Sequence, residues 1–121
     1  MNKPLSGRSI LVVEDETILR MTIEDVLADF GCESVTATGT AEKAVALVEG
    51  QVFDAAVLDL NLNGTSSRPV AYALAARGVP FVVATGNTGG DMEDVFRDRA
   101  VLRKPFNYDE LVATLTRLLT R

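Results

Sequence analysis

The chain has 121 residues, of which 47% are hydrophobic and 24% are charged, and it carries a net charge of −5. This length and composition fit one globular domain, and we expect residues 1–121 to form it without room for a second one. The negative charge argues against a broad nucleic-acid surface, which relies on lysine and arginine. The absence of histidine excludes Ser-His and Cys-His catalysis, histidine-ligated zinc and a phosphohistidine on this chain.

No apolar run approaches the ~20 residues that a membrane-spanning helix needs, and the opening MNKPLSGRS lacks the apolar core of a signal peptide. We therefore expect a cytoplasmic protein without membrane contact. The single cysteine, Cys32, cannot form an internal disulfide, and its place after a predicted helix indicates a small buried hydrophobic residue.

Apolar runs alternate along the chain with amphipathic segments, so the pattern is strand then helix, five times. The central runs are continuously apolar, as expected for strands that are covered on both faces. The predicted strands are Ser9–Val13, Ser34–Ala37, Ala55–Leu58, Pro80–Ala84 and Ala100–Arg103.

The first two helices follow the first two strands. The first is predicted from a broad apolar stripe, and Gly31 is placed to cap its end. The stripe consists of Ile18, Met21, Ile23, Val26, Leu27 and Phe30. The second helix runs from about Ala41 to Val48 and ends near Gly50.

The remaining helices differ in the strength of their signals. The third has Pro69 in its first turn and stops at Gly78, the usual positions of these residues at helix ends. The fourth, between Gly90 and Ala100, has few apolar residues and follows two glycines, so we expect it to be short and mobile. The last begins at Asn107, which stands three residues before a glutamate in the spacing of a capping box.

Alternating strands and helices predict an α/β fold with right-handed crossovers. We expect a doubly wound, five-stranded parallel sheet of the flavodoxin-like (βα)5 kind, with strand order 2-1-3-4-5. Such sheets bind ligands at the carboxyl ends of their strands, where the strand order reverses, which here is between the first and third strands.

Polar side chains follow four of the predicted strands. They are Glu14 and Asp15 after the first, Asp59 after the third, Thr85 after the fourth and Lys104 after the fifth. Three neighbouring carboxylates raise each other's pKa unless a cation lies among them, and Mg²⁺ suits such ligands. A hydroxyl and an ammonium add a donor and a positive charge for phosphoryl oxygens. The set therefore predicts a site for phosphoryl transfer.

Three other interpretations of this region fail on the residues present. A calcium loop starting at Asp59 needs glutamate at its twelfth position, where Val70 stands, and a helix before it. A phosphatase of the haloacid-dehalogenase type needs a second acid at the position of Asn61. A dinucleotide site needs a glycine-rich turn after the first strand, where the sequence is VVEDETILR.

The motifs ILVVEDE, AVLDLNLNG, ATG and RKPF closely resemble the receiver domain of bacterial two-component response regulators, in residue type, order and spacing. The resemblance covers essentially the whole chain and implies a single receiver domain, with no output domain. It implies that Asp59 is the phosphoacceptor and that Mg²⁺ is the cofactor. Asp15 and Asp59 would then be direct metal ligands, Glu14 would act nearby through water, and the backbone carbonyl of Asn61 would complete the set.

The resemblance also implies that Thr85 and Lys104 bind the phosphoryl oxygens and that the Lys104-Pro105 bond is cis. More narrowly, PFVVATG followed by KPF resembles stand-alone receivers with a PFxFATGY signature, which often partner HWE-type histidine kinases. Asn87 replaces the tyrosine of that signature, and Val101 stands where many receivers carry an aromatic switch residue. We therefore hypothesise that phosphorylation orders the segment 85–99 instead of moving a ring.

The function implied is that of a signalling domain and not of a turnover enzyme. A sensor histidine kinase would dock near the first helix and transfer its phosphoryl group to Asp59. The phosphorylated form would bind a downstream protein target, or the domain would drain phosphate from a kinase shared with a competing regulator. An alternative is a pseudo-receiver, a protein-binding module whose signalling does not need phosphate.

Overall fold

The computed structural model of the chain describes residues 3–86, 94–96 and 99–120. The strands described there are β1 Ser9–Val13, β2 Ser34–Thr38, β3 Ala55–Asp59, β4 Asn61–Leu62, β5 Thr65–Ser66, β6 Phe81–Thr85 and β7 Ala100–Arg103. The helices are α1 Thr17–Asp29, α2 Ala41–Gly50, α3 Arg68–Ala76 and α4 Tyr108–Leu119, and a single 3-10 turn spans Asp94–Phe96.

Five strands form one parallel sheet in the order β2-β1-β3-β6-β7. These are the five predicted strands, so the predicted flavodoxin-like arrangement and its 2-1-3-4-5 order are confirmed. The strand order reverses between β1 and β3, which pair directly. This is the position at which the sequence predicts the site.

Helices cover both faces of the sheet, because the side chains of each strand alternate between two cores. On one face, α2 and α3 pack on side chains that include Leu11, Val13, Leu58 and Val83. On the other face, α1 and α4 pack on side chains that include Ile10, Val12, Val57 and Val82. The central strands β3 and β6 are buried along their whole length, which is why they appear as unbroken apolar runs.

The predicted helix ends are largely confirmed. Gly31 and Gly78 have φ of 104° and 70°, a conformation that glycine adopts without strain, and each follows a helix. Asn107 caps α4, because its side-chain oxygen accepts a 2.7 Å hydrogen bond from the amide of Glu110. The region of the predicted fourth helix lies mostly outside the described residues, apart from the turn that buries Phe96.

The predicted apolar stripe of α1 is wrong at two positions. Ile18 is 81% exposed and Met21 is 57% exposed, whereas Ile23 and Leu27 are buried. At about 100° per residue, Ile18 and Met21 project from the side of the helix opposite to Ile23 and Leu27. Since both are hydrophobic, composition alone could not assign them to the outer face. Cys32 also differs from its prediction, because it is only partly buried.

Two features have no counterpart in the predictions. Leu5 is fully buried against the α1 and α4 core, and its amide donates a 3.1 Å hydrogen bond to the carbonyl of Phe30. The strands β4 and β5 form a small hairpin, closed by Asn63 and Gly64 with φ of 54° and 86°. Asn-Gly is the pair that two-residue hairpin turns prefer, because both positions need positive φ.

Among the described residues, no helix is long and apolar enough to cross a membrane.

Candidate functional site

The predicted polar residues meet at one edge of the sheet. Glu14 and Asp15 follow β1, Asp59 and Thr85 are the last residues of β3 and β6, and Lys104 follows β7. Parallel pairing places these strand ends side by side. The residues Asp15, Asp59, Asn61, Thr85 and Lys104 contribute to the lining of a cleft of about 350 Å³.

The three acids form one cluster. Glu14, Asp15 and Asp59 each offer a carboxylate oxygen, and these oxygens all lie within 4.8 Å of one another. Glu14 is 2% exposed and Asp59 is 5% exposed, whereas Asp15 is half-buried. Because burial and mutual repulsion both oppose ionisation, the cluster needs a nearby positive charge.

Lys104 supplies a positive charge within the protein. Its Nζ lies 2.8 Å from Oε1 of Glu14 and 2.9 Å from Oδ2 of Asp59, and it lies 3.8 Å from the exposed Glu16. The amide of Lys104 donates a 2.8 Å hydrogen bond to the carbonyl of Thr85. The Lys104-Pro105 bond is cis, which confirms that prediction. Lys104 thus bridges two of the three acids.

Burial dominates the protonation of Glu14. Its desolvation raises the pKa from 4.5 to about 7; the hydrogen bond with Lys104 lowers it and that with Asp59 raises it. For Asp15, desolvation acts to raise the pKa, but hydrogen bonds with Glu14 and Asp59 outweigh it and the pKa is lowered. Desolvation acts to lower the pKa of Lys104, but the hydrogen bonds with Glu14 and Asp59 raise it. Lys104 is therefore a cation near neutral pH, while Glu14 is poised to gain or lose a proton.

The loop after β3 holds Asp59 in place. The amide of Asn61 donates a 3.3 Å hydrogen bond to Oδ1 of Asp59, and the side chain of Asn61 accepts a 2.8 Å bond from the amide of Gly64. Ser67 is fully buried, and its hydroxyl donates a 2.9 Å hydrogen bond to the carbonyl of Leu60. The roles of Ser67 and Glu16 have no counterpart in the predictions. The third acid of the EDE motif is the available signal for Glu16, whereas Ser67, the second of two consecutive serines before α3, carries no signal of its bond to the Leu60 carbonyl.

The donor set fits a small divalent cation. Three carboxylates within 4.8 Å of one another match the oxygen ligands that Mg²⁺ takes, together with waters. The buried Glu14 and Asp59 share one lysine, so a divalent ion would complete the neutralisation. The predicted role of the Asn61 carbonyl stays a prediction, although Asn61 lies at the cleft.

The sequence from residue 10 to residue 116 matches the family of response regulator receiver domains. The chain belongs to this family. Among curated relatives, it is 29% identical over 118 residues to the transcriptional regulatory protein PdtaR of Mycobacterium tuberculosis, covering 94% of this chain and 58% of PdtaR. The chain spans between 48% and 58% of the length of the curated relatives that it matches.

Solved structures of other proteins share the fold. The receiver domain of the sensor histidine kinase PA1611 from Pseudomonas aeruginosa PAO1 is 30% identical with a TM-score of 0.83, over 96% of this chain and 100% of that one. That structure has a magnesium ion coordinated in its active site cleft. SdrG from Sphingomonas melonis Fr1 is 44% identical with a TM-score of 0.75, over 96% of this chain and 98% of SdrG. The site described above therefore belongs to a receiver domain.

Proposed function

We propose that this receiver domain accepts a phosphoryl group on Asp59 from a sensor histidine kinase in a Mg²⁺-dependent reaction. The main support for this proposal is the arrangement around Asp59, which has two more carboxylates within 4.8 Å and the Lys104 ammonium at 2.9 Å. Phosphoryl transfer depends mainly on positioning and on neutralising charge, and these groups supply both. The proposal places the domain in the cytoplasm as a signalling domain and not a turnover enzyme.

The transfer step uses the carboxylate of Asp59. A carboxylate oxygen forms a bond to the phosphorus of a phosphohistidine on the kinase, the phosphorus-nitrogen bond breaks, and the imidazole leaves with the bonding electrons. The buried position of Asp59 and its bond from the Asn61 amide hold the carboxylate in one orientation. A carboxylate that is held in one orientation adopts a reactive geometry more often than a mobile carboxylate does.

Asp15 and Asp59 would hold the metal directly and Glu14 would act nearby through water, with the Asn61 carbonyl as the further predicted ligand. When bound, Mg²⁺ supplies positive charge that stabilises the phosphoryl oxygens during transfer. Lys104, which bridges Glu14 and Asp59, would instead donate to a phosphoryl oxygen after transfer. The hydroxyl of Thr85, at the end of β6 and lining the same cleft, would donate to another.

Phosphorylation would act as a switch through these contacts. It adds about two negative charges at Asp59, which biases a conformational equilibrium through differential contacts with Thr85 and Lys104. Val101 is 42% exposed on β7 and offers no aromatic ring to move. The hypothesis of ordering in segment 85–99 concerns residues that lie mostly outside the described part of the chain, and it remains a prediction.

The outer face of α1 supports kinase docking near the site. Ile18 and Met21 are exposed on this helix, which begins two residues after Asp15. Exposed apolar side chains beside a reactive cleft are typical of a protein contact surface. We propose this face for the kinase, with an HWE-type kinase as the specific expectation.

The test is intact mass after incubation with a small acyl-phosphate donor and Mg²⁺. The proposal expects one added phosphoryl group that disappears in Asp59→Ala and in a sample with chelator. No adduct in an early-quenched wild-type sample would refute the proposal and favour the pseudo-receiver alternative. An adduct that survives Asp59→Ala would place the acceptor elsewhere.

A second experiment separates the two signalling roles. If the domain is a messenger, a bound target should appear only with phosphorylated protein and not with Asp59→Ala. If it is a phosphate sink, it should remove phosphate rapidly from a kinase that also serves a competing regulator. Loss of phosphate from the kinase is measured in both cases. Target binding is the measurement that distinguishes the two roles.

A further inference from the structure

Arg20 contacts the backbone that carries the acidic cluster. It lies in the first turns of α1, and its Nη1 donates a 2.7 Å hydrogen bond to the carbonyl of Glu14. The Arg20 side chain is half-buried, so the bond is partly shielded from water. A charged donor to a carbonyl makes a stronger bond than a neutral one. Arg20 therefore ties α1 to the β1 end of the site.

The loop at Glu14 has two further attachments. The amide of Glu14 donates a 3.0 Å hydrogen bond to the carbonyl of Thr38 at the end of β2. Its side-chain Oε2 accepts a 3.1 Å bond from the amide of Glu16. Strand pairing thus fixes the amide side of the Glu14 residue, while Arg20 fixes its carbonyl side. That carbonyl belongs to the peptide group joining Glu14 to Asp15, so its orientation affects both carboxylates.

Gly39 leaves the space that the Arg20 side chain occupies. A Cβ atom at position 39 would lie 2.7 Å from Nη1 of Arg20, closer than real contacts allow, whereas it would lie 3.5 Å from the Glu14 carbonyl, an ordinary contact. Gly39 is not among the positive-φ glycines, so alanine suits its backbone. The obstacle to alanine here is the tip of one flexible side chain, which can move away.

We propose that Arg20 is a positioning residue for the phosphoryl-transfer site, and that Gly39 is needed because it admits the Arg20 guanidinium to the Glu14 carbonyl. The inference rests on the proposed function for its role in transfer. Its structural part is that Arg20 fixes the orientation of the peptide group between Glu14 and Asp15. This part does not depend on that function. Residues that orient metal ligands typically affect metal affinity by about 10–100-fold when they are removed.

A double-mutant cycle tests this inference with Arg20→Ala, Gly39→Ala and the double variant. We expect each single variant to weaken Mg²⁺ binding, Arg20→Ala by about tenfold, as measured by titration of the protein with Mg²⁺. Gly39→Ala should have little further effect when Arg20 is already alanine, because the side chain that it displaces is gone. Arg20→Lys should recover part of the affinity, since it keeps a charged donor but loses the planar guanidinium.

Lys43→Ala is the matched control for charge. Lys43 is exposed, and together with Asp15 and Arg20 it lines a neighbouring cavity of about 710 Å³, so its removal deletes one positive charge near the acids without touching Glu14. Gly39→Ala changes no charge at all. If Lys43→Ala weakened Mg²⁺ binding as much as Arg20→Ala, general electrostatics would explain the loss and the positioning role would be refuted.

A readout without metal separates this inference from the proposed function. We expect the amide signals of residues 14–16 in NMR spectra of metal-free protein to shift in Arg20→Ala and in Gly39→Ala. Unchanged signals, or an effect of Gly39→Ala that is the same in both backgrounds, would overturn the inference. If wild type took up no phosphoryl group but these signals shifted as expected, the proposed function would fail while the hold of Arg20 on Glu14 would stand.

Discussion

Replacing Glu14 with glutamine should stabilise the metal-free protein at neutral and alkaline pH. In the folded protein, desolvation raises the pKa of Glu14 to about 7, against 4.5 for an ordinary glutamate. Between these values the folded protein binds one proton more than the unfolded chain does. The unfolding free energy of wild type therefore falls as pH rises through this window. Glutamine keeps the shape of the protonated side chain and removes this dependence.

The size of the effect follows from the shift. The pKa of Glu14 rises from 4.5 to about 7 on folding. This rise lowers the unfolding free energy by about 3 kcal/mol when the side chain is fully ionised in both states. Since Glu14 is 2% exposed, little solvent screening reduces this value. The advantage of Glu14→Gln over wild type should grow by about 2 kcal/mol between pH 5.5 and pH 8.

Urea unfolding at several pH values with chelator present measures this difference. Glu33→Gln is the matched control, because Glu33 is exposed and should show no growing advantage. A constant difference between Glu14→Gln and wild type from pH 5.5 to pH 8 would refute the reasoning. Excess Mg²⁺ should reverse the order, because ligand binding to the folded state stabilises wild type more than a variant that lacks one acid.

Three further experiments test other parts of the structure. Lys104→Met should lower the unfolding free energy by about 3 kcal/mol at pH 7.5 without metal, because it leaves the buried Glu14 and Asp59 without their cation. An unchanged urea midpoint would contradict a stabilising role of these ion pairs. Leu5→Ala should cost about 3 kcal/mol in the same assay because Leu5 is fully buried, and a loss below ~1 kcal/mol would show that the N-terminal segment is not docked. The Cys32 thiol, whose pKa burial and Asp54 raise to about 11, should be alkylated at pH 7.5 about 100 times more slowly than an ordinary thiol, and a normal rate would count against its burial.

The sequence predicted the sheet well because its strands carry strong and local signals. The apolar runs at β3 and β6 have lengths typical of strands, and both strands are fully buried. The glycine and asparagine signals at Gly31, Gly78 and Asn107 are also local, since each depends on the chain within one helical turn. Strand ends then fix the positions of Glu14, Asp59, Thr85 and Lys104 without further information.

The errors occur where structure depends on contacts between distant segments. The outer position of Ile18 and Met21 depends on how α1 is rotated against the sheet, and both are as apolar as buried residues. The burial of Leu5 depends on its packing into the core that α1 and α4 form with the sheet, which a short N-terminal segment does not reveal. The hairpin at Asn63-Gly64 did have a local signal, but the same residues match half of a calcium loop, and the predictions include no hairpin there.

The geometry around Lys104 connects stability to the proposed chemistry. The acids suit a divalent cation, yet without one the buried Glu14, whose pKa is raised, destabilises the fold as it ionises, and Lys104 offsets part of this cost by bridging Glu14 and Asp59. A phosphoryl group on Asp59 would compete for the same ammonium. Lys104 would then have to leave Glu14, so the ion pair that stabilises the resting site is also the contact that phosphorylation must change. This makes the Glu14 to Lys104 distance, 2.8 Å here, the coordinate that should lengthen most clearly on phosphorylation. A phosphorylated structure that keeps this pair intact would remove Lys104 from the proposed switch.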